Sequence, residues 1–204
     1  ETPSGRELIV RRETASPAFE KTFAVTGAVD SAVLQITGLG FYEAELNGRR
    51  IGTRVLEPVP TRYDRRALYS TYDVASYLKP GENKLRVVLG HGWYDVRALA
   101  VWNFDTAPWR NAPRLIAQLD LSLADGARQT VVSDRTWRQV KSPIGYDSLY
   151  EGEVIGAWNP DEPDFGSRVQ HAVEVPSPTK ILQSEPCAPS RVVRTLRPSS
   201  VHAS

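Results

Sequence analysis

Residues 38–52 read Gly38-Leu39-Gly40-Phe41-Tyr42-Glu43-Ala44-Glu45-Leu46-Asn47-Gly48-Arg49-Arg50-Ile51-Gly52. Within this stretch an apolar set, made of Tyr42, Ala44 and Leu46, alternates with a set that contains two glutamates. Alternation with a period of two predicts a half-buried strand. The next two residues, Asn47-Gly48, predict a tight hairpin, because a type I′ turn needs positive φ at both central positions. We expect Asn47 to serve turn geometry and not ligand binding.

Similar β-rich segments recur along the chain at short spacing. A Pro-Gly turn at residues 80–81 and an Asp-Gly turn at residues 125–126 separate some of them. The remaining predicted strands cover residues 18–25, 30–38, 68–74, 84–90, 115–123 and 129–133. About eight short strands without a long amphipathic helix predict an all-β fold, either a sandwich or a jelly roll.

The composition places the strands in one module with polar flanks. Residues 1–17 are predicted to be a lead-in, residues 18–165 the jelly-roll β-sandwich, and residues 166–204 a proline-punctuated return segment or linker toward a next domain that is absent. The chain contains no Met, which favours a piece of a longer protein.

Charge and cysteine content restrict the classes of function. The net charge is +1, and basic and acidic residues are interleaved, so no nucleic-acid or anionic-membrane footprint is visible. Cys187 is the single cysteine, which excludes an intrachain disulfide and a cysteine-based metal site. No apolar run is long enough for a membrane-spanning helix. The cellular compartment stays open.

An aromatic loop, Gly90-His91-Gly92-Trp93-Tyr94-Asp95, is the strongest candidate for ligand binding. Aromatic rings stack on the apolar face of a sugar while polar neighbours bind its hydroxyls, and flanking glycines allow a backbone to approach a ligand closely. The sugar-binding candidates are Trp93, Tyr94, Trp102, Trp109 and Asp95. The alternative is that these rings pack in the core or against a neighbouring domain.

Acidic residues near residue 150 form a second candidate group. Asp147, Glu151 and Glu153 are candidate calcium ligands, because Ca²⁺ prefers several oxygen donors. A pair of carboxylates also suits glycoside hydrolysis, and structural pairing is a third interpretation. No EF-hand pattern, phosphate loop or nucleophile motif accompanies these acids, and no catalytic residue is assigned.

The motifs taken in order resemble the amino-terminal β-sandwich module of bacterial α-L-rhamnosidases, glycoside hydrolase family 78. The resemblance covers roughly residues 18–200 and runs through residues 38–48, 56–58, 63–64, 68–74, 78–83, 90–94, 125–126, 133–137, 142–144 and 150–153. One departure follows the last motif. Gly156 and Trp158 stand where the family usually has Asp and Arg, which leaves room for a related rhamnose-cleaving lyase.

The resemblance implies a galactose-binding-like jelly-roll fold, and it implies that the catalytic residues lie in a different domain. In the family the catalytic carboxylates lie in a later (α/α)₆ barrel, and nothing in this sequence corresponds to that barrel. This chain is therefore expected to be an accessory module of an enzyme that hydrolyses terminal α-L-rhamnosides. Some such modules bind L-rhamnose through Ca²⁺. The implied partners are a rhamnose-containing glycan or glycoside and the rest of the parent enzyme, with no nucleic acid and no membrane.

Three alternatives remain at this stage. The module could be a purely structural support for the barrel, with the aromatic loop packed on other domains. It could be an enzyme in its own right that uses Glu151 and Glu153, or Asp95. It could also be the sugar-binding domain of a β-galactosidase-like enzyme, since these share the Asn-Gly and Pro-Gly-Glu-Asn turns.

Overall fold

The computed structural model describes residues 15–96, 98, 103–156, 170–198 and 200. In this part of the chain the regular structure consists of thirteen strands and two short 3₁₀ turns, at Ala75–Tyr77 and Phe104–Thr106. None of the helical segments described is long and apolar enough to cross a membrane. In chain order the strands are β1 (Ala18–Val25), β2 (Val29–Leu39), β3 (Phe41–Leu46), β4 (Arg49–Arg50), β5 (Ala67–Asp73), β6 (Gly81–Gly90), β7 (Arg114–Leu123), β8 (Arg128–Val132), β9 (Arg138–Val140), β10 (Ile144–Ser148), β11 (Gly152–Ile155), β12 (Gln170–His171) and β13 (Leu182–Ser184).

Two sheets pack face to face as a jelly-roll β-sandwich. One sheet has the order β12-β9-β1-β6-β3-β4 and the other the order β13-β5-β2-β7-β8, while β10 and β11 form a separate hairpin. Within the described residues the strand pairs are antiparallel, except that β13 runs parallel to β5. The all-β jelly-roll prediction is confirmed.

The predicted strands agree with β1, β2, β5, β7 and β8 to within one residue at each end. The exception is β6, which begins three residues before the predicted start, at Gly81. The physical reason is tertiary: β1 pairs with β6 as far as Val25 opposite Gly81, so the ladder extends into the Pro-Gly turn.

Side chains from the inner faces of both sheets form the core. On β3 the predicted inward set Tyr42, Ala44 and Leu46 is buried, while Glu43 and Glu45 are exposed. Burying these faces on each other is the main stabilising contribution to a sandwich of this size. The other core residues include Phe23, Val25, Leu34, Ile36, Leu85, Val87, Leu89, Leu119, Leu121, Leu123 and Trp137.

The Asn47-Gly48 turn forms as predicted, with φ of 55° and 75°. The Asn47 side chain also makes three hydrogen bonds. Its Nδ2 donates to the Tyr77 carbonyl at 2.9 Å and to Asn83 Oδ1 at 2.8 Å, and its Oδ1 accepts from the Lys84 backbone N–H at 3.0 Å. The asparagine therefore serves geometry, and it also joins the β3–β4 hairpin to the segment that leads into β6.

The segment from residue 170 onward contributes to both sheets. Its strand β12 pairs with β9, and its strand β13 pairs with β5 at the edge of the other sheet. The sequence pattern indicated a return segment or linker toward a next domain, and it did not locate these two strands. Strands of two or three residues are too short to show alternation, so only their pairing with distant partners reveals them.

Glu185, just after β13, enters a buried polar cluster with Glu57, Arg54 and Ser70. The side chains of Glu57 and Glu185 are 3% and 2% exposed. Arg54 lies 3.1 Å from the Glu57 carboxylate and 3.9 Å from that of Glu185, and the Ser70 hydroxyl lies within hydrogen-bond distance of both. Burial raises the pKa of Glu185, and the nearby charge of Glu57 raises it further.

We expect Asn47→Gly to lower the free energy of unfolding by about 2 kcal/mol, because glycine keeps the positive φ but loses three side-chain hydrogen bonds. Urea denaturation measures this change. Asp125→Gly is the matched control in the other predicted hairpin turn, where the side chain accepts one hydrogen bond. Equal losses in the two variants would contradict the role given to the Asn47 side chain.

We expect Glu185→Gln to stabilise the fold at pH 7 and to have little effect near pH 4. The folded pKa of Glu185 is raised, so its stabilising contribution is fully present below the unfolded pKa of about 4.3 and is lost as the pH rises through the folded pKa. Glutamine resembles the protonated form at every pH. Urea denaturation across this range measures the difference.

Glu174→Gln is the control with the opposite sign, because the hydrogen bond from Arg135 lowers the pKa of Glu174. That variant should be destabilised at pH 7 and unchanged at low pH. A Glu185→Gln variant that is less stable than the wild type at pH 7 would contradict the interpretation of the cluster.

Candidate functional site

The aromatic loop begins where β6 ends and packs directly on the turn between β2 and β3. Gly40 has φ of 105°, and a Cβ added there would lie 2.1 Å from the Gly90 carbonyl oxygen. A Cβ on Gly92, which has φ of 47°, would lie 3.0 Å from the Gly40 backbone. The sequence pattern suggested that glycines beside His91 allow approach to a ligand, but here they allow two stretches of backbone to touch.

His91 is buried, and both its ring and its backbone contact the carboxylate of Asp147 on β10. The ring Nδ1 lies 2.6 Å from Asp147 Oδ2, and the His91 backbone N–H donates to Asp147 Oδ1 at 2.8 Å. The Ser16 hydroxyl donates to the same carboxylate. These contacts join the segment before β1, the aromatic loop and the β10–β11 hairpin at one point.

The pKa of Asp147 shows that this carboxylate is stabilised in its charged form. Burial raises the pKa of Asp147. The hydrogen bonds from His91 and Ser16 and the charge of His91 together lower it by a larger amount, so the net pKa lies below its usual value. Asp147, predicted as a calcium ligand, is thus engaged with protein donors.

Asp95, predicted to contact a sugar, is fully buried. Its carboxylate lies 3.5 Å from Arg110 Nε and 3.9 Å from His91 Nε2. Arg110 also donates to the Val96 carbonyl at 3.0 Å. In this position Asp95 pairs with a cation at the base of the loop and presents no surface to solvent.

Two of the predicted rings belong to a buried aromatic cluster with Tyr63. The Tyr63 and Tyr94 rings meet edge to face at 5.1 Å, and Trp109 lies 6.4 Å from Tyr63. Tyr63 and Tyr94 are both 1% exposed, and burial raises the pKa of both hydroxyls. Tyr94 therefore packs in the core, whereas Trp109 is half-buried at the edge of the cluster.

A second group of rings reaches the surface, and we call Trp93, Phe104 and Tyr150 the aromatic ridge. Trp93 lies 5.2 Å from Phe104 and 6.0 Å from Tyr150, measured between ring centroids. Tyr150 is 54% exposed. Sequence reasoning did not select Phe104 or Tyr150, because they come from separate segments that only the fold brings to Trp93. Trp102 lies outside the described residues.

The acidic candidates on the β10–β11 hairpin do not form one donor set. Asp147 and Glu153 are opposite each other in the strand register, but Asp147 binds His91 and Glu151 accepts the Tyr146 hydroxyl. Within the described part of the chain, no group of three or more His, Cys, Asp or Glu residues is arranged to hold a metal ion. The calcium site stays a prediction.

We expect Asp147→Asn to lower the free energy of unfolding at pH 7 by about 2 kcal/mol, since hydrogen bonds to a charged group are replaced by weaker ones. The folded pKa of Asp147 is depressed, so its contribution is present above the unfolded pKa of about 3.9 and is lost as the pH falls through the folded pKa. Urea denaturation between pH 3 and pH 7 measures both effects.

Asp120→Asn is the control for this variant, because Asp120 also accepts side-chain hydrogen bonds but lies near the surface of β7. Its effect should be smaller at every pH. If both variants lower the free energy of unfolding by the same amount, the contact between Asp147 and His91 stabilises the fold no more than the hydrogen bonds of a surface carboxylate do.

Sequence comparisons with known proteins agree on one family. The model of the α-L-rhamnosidase N-terminal domain matches residues 27–194. An α-L-rhamnosidase from Formosa agariphila is 33% identical over 174 residues, which is 79% of this chain and 18% of that protein. One from Streptomyces avermitilis is 41% identical over 129 residues, or 63% of this chain and 12% of that protein.

Solved structures agree with the sequence matches. The α-L-rhamnosidase from Dictyoglumus thermophilum superimposes with a TM-score of 0.77 at 34% identity, covering 91% of this chain and 20% of that one. The Streptomyces avermitilis α-L-rhamnosidase, solved in complex with L-rhamnose, gives 0.78 at 31% identity, covering 89% and 18%. The chain spans about a fifth or less of the length of these relatives. It belongs to the α-L-rhamnosidase N-terminal domain family.

Proposed function

We propose that this chain is the accessory module of an α-L-rhamnosidase, a longer enzyme that hydrolyses terminal α-L-rhamnosides, and that it contacts carbohydrate without carrying out the hydrolysis. The family match and the small share of each relative that it covers support this proposal. The partners are then a rhamnose-containing glycan or glycoside and the remainder of the parent enzyme.

The observation that carries the sugar-contacting role is the aromatic ridge. Trp93 is held between Phe104 and Tyr150, and the rings of the buried cluster lie behind it, since Trp109 is 6.4 Å from Phe104. A rigid and partly exposed group of rings suits the apolar face of a pyranose, whose C–H groups stack on aromatic carbon. The 6-deoxy carbon of rhamnose adds to this apolar surface.

The carboxylates of Asp95 in the loop and Asp147 beside it support a non-catalytic role. A glycosidase needs two carboxyl groups that reach the same glycosidic bond. Asp95 is fully buried beside Arg110, and Asp147 is engaged with His91 and Ser16. Their contacts organise the loop that presents Trp93.

A purely structural role is the second candidate, and the β10–β11 hairpin favours it. Several of its apolar side chains are exposed, with Val154 at 59% and Ile155 at 68%. Contiguous exposed apolar residues often mark a surface that another domain covers. In this alternative the ridge packs against the parent enzyme and has no contact with sugar.

We expect the 204-residue chain to bind L-rhamnose with a measurable heat in isothermal titration calorimetry and to leave p-nitrophenyl α-L-rhamnoside unhydrolysed. Tyr150→Ala should weaken binding by about 3- to 10-fold, because one aromatic contact is worth about 0.5–1.5 kcal/mol. Repeating the titration with a chelator shows whether Ca²⁺ takes part.

Tyr77→Ala is the matched control, since Tyr77 is a half-buried ring that contacts Arg49 outside the ridge. It should bind L-rhamnose as the wild type does. A flat titration with folded protein would favour the structural role, and hydrolysis by this chain would overturn the non-catalytic assignment.

A further inference from the structure

A cleft of about 400 Å³ lies against strands β2 and β7 of the five-stranded sheet, and it is lined in part by Phe19 and Trp137, which belong to the core or pack against it. Strands β2 and β7 form its floor, residues 111–114 form one wall, and residues 172–179 form the other. The second wall is the connection between β12 and β13, so it passes from one sheet to the other across the cleft. Concave sites of this size commonly hold small molecules.

Hydrogen bonds fasten the wall made by residues 172–179 to neighbouring segments. Arg114 on β7 donates a hydrogen bond to the Pro176 carbonyl. The Thr179 hydroxyl donates to the Arg65 carbonyl at 2.7 Å. These contacts reach the segment from both sides of the cleft and hold it in place as a wall of the cleft.

The floor contains a buried hydroxyl without a hydrogen-bond partner. Thr37 on β2 is 2% exposed and faces away from the core, since its neighbour Ile36 belongs to the core cluster. Thr37 lines the cleft, and its Oγ1 has no partner among the described residues. Because a buried polar group left unpaired is unfavourable, this hydroxyl is suited to pair with a group on a bound molecule.

The remaining lining is largely apolar, with three charged residues, Arg114, Asp134 and Glu174, among it. Leu39, Leu115, Ile116 and Leu182 contribute aliphatic surface around Thr37. Each of these charged residues contacts a protein group. Glu174 forms a bidentate pair with Arg135, at 2.9 and 3.2 Å, and Arg114 donates to the Pro176 carbonyl. Asp134 accepts from the Thr136 backbone N–H at 2.8 Å and lies 3.8 Å from Lys21. A charged ligand would lose its hydration here and would compete with the protein groups that these charged residues already contact.

We propose that this cleft binds a small, neutral and mainly apolar molecule with one hydroxyl or carbonyl group, of which a phenol is the simplest example. Its apolar body lies between residues 111–114 and residues 172–179. Its polar group pairs with Thr37 Oγ1. The site is separate from the aromatic ridge and does not rest on the proposed contact with sugar.

The test uses 2-naphthol as the probe and the ¹H–¹⁵N NMR spectrum of the 204-residue chain as the readout. We expect saturable shifts of amides in β2, β7 and residues 172–179. Thr37→Val, which keeps the shape and removes the hydroxyl, should weaken binding by about 3- to 10-fold through the loss of one hydrogen bond. Thr37→Ser retains the hydroxyl and should bind within about twofold of the wild type.

Thr71→Val is the matched control, because Thr71 is exposed on the neighbouring strand β5 and does not line the cleft. It should leave the affinity unchanged. Absence of saturable shifts, shifts confined to the aromatic ridge, or equal affinity in wild type and Thr37→Val would each overturn the proposal. Thr37→Ser keeps the test decisive if the valine variant does not fold.

Discussion

The partly buried carboxylate of Asp147 makes the contacts on which the loop region depends. It binds the ring and backbone of His91 and the hydroxyl of Ser16, so three segments far apart in sequence meet at one charged group. A carboxylate buried without these donors would be strongly unfavourable, whereas with them it stays ionised. Because His91 lies beside Trp93, this contact also determines where the aromatic ridge is presented.

Buried charge is used in two opposite ways in this domain. Asp147 is surrounded by donors, which lower its pKa, while Glu185 shares the cation Arg54 with a second acid, Glu57, and its pKa is raised. The first arrangement stabilises the fold toward neutral pH, and the second toward acidic pH. The second cluster lies where β13 joins the sheet, so the protonation of Glu185 adds to the backbone pairing that attaches this segment.

Aromatic residues close together in sequence have different roles in the structure. Trp93 and Tyr94 are neighbours, yet Tyr94 packs against Tyr63 in the core while Trp93 joins Phe104 and Tyr150 at the surface. The sequence alone could not distinguish the roles of Trp93 and Tyr94, because consecutive side chains in a loop point in directions that only the backbone conformation specifies. The same reason explains why Asp95 was a sugar-binding candidate although it is buried beside Arg110.

The amino-acid sequence alone determined strands β1–β3 and β5–β8, the Asn47-Gly48 hairpin and the all-β class, because alternation and turn preferences are local properties of the chain. Ordered motifs also pointed to the family that the comparisons show. Only the tertiary structure decided which residues share a site. The Asp147–His91 contact, the aromatic ridge and the cleft at Thr37 each join segments separated by tens of residues, and such contacts leave no periodic signal in a single sequence.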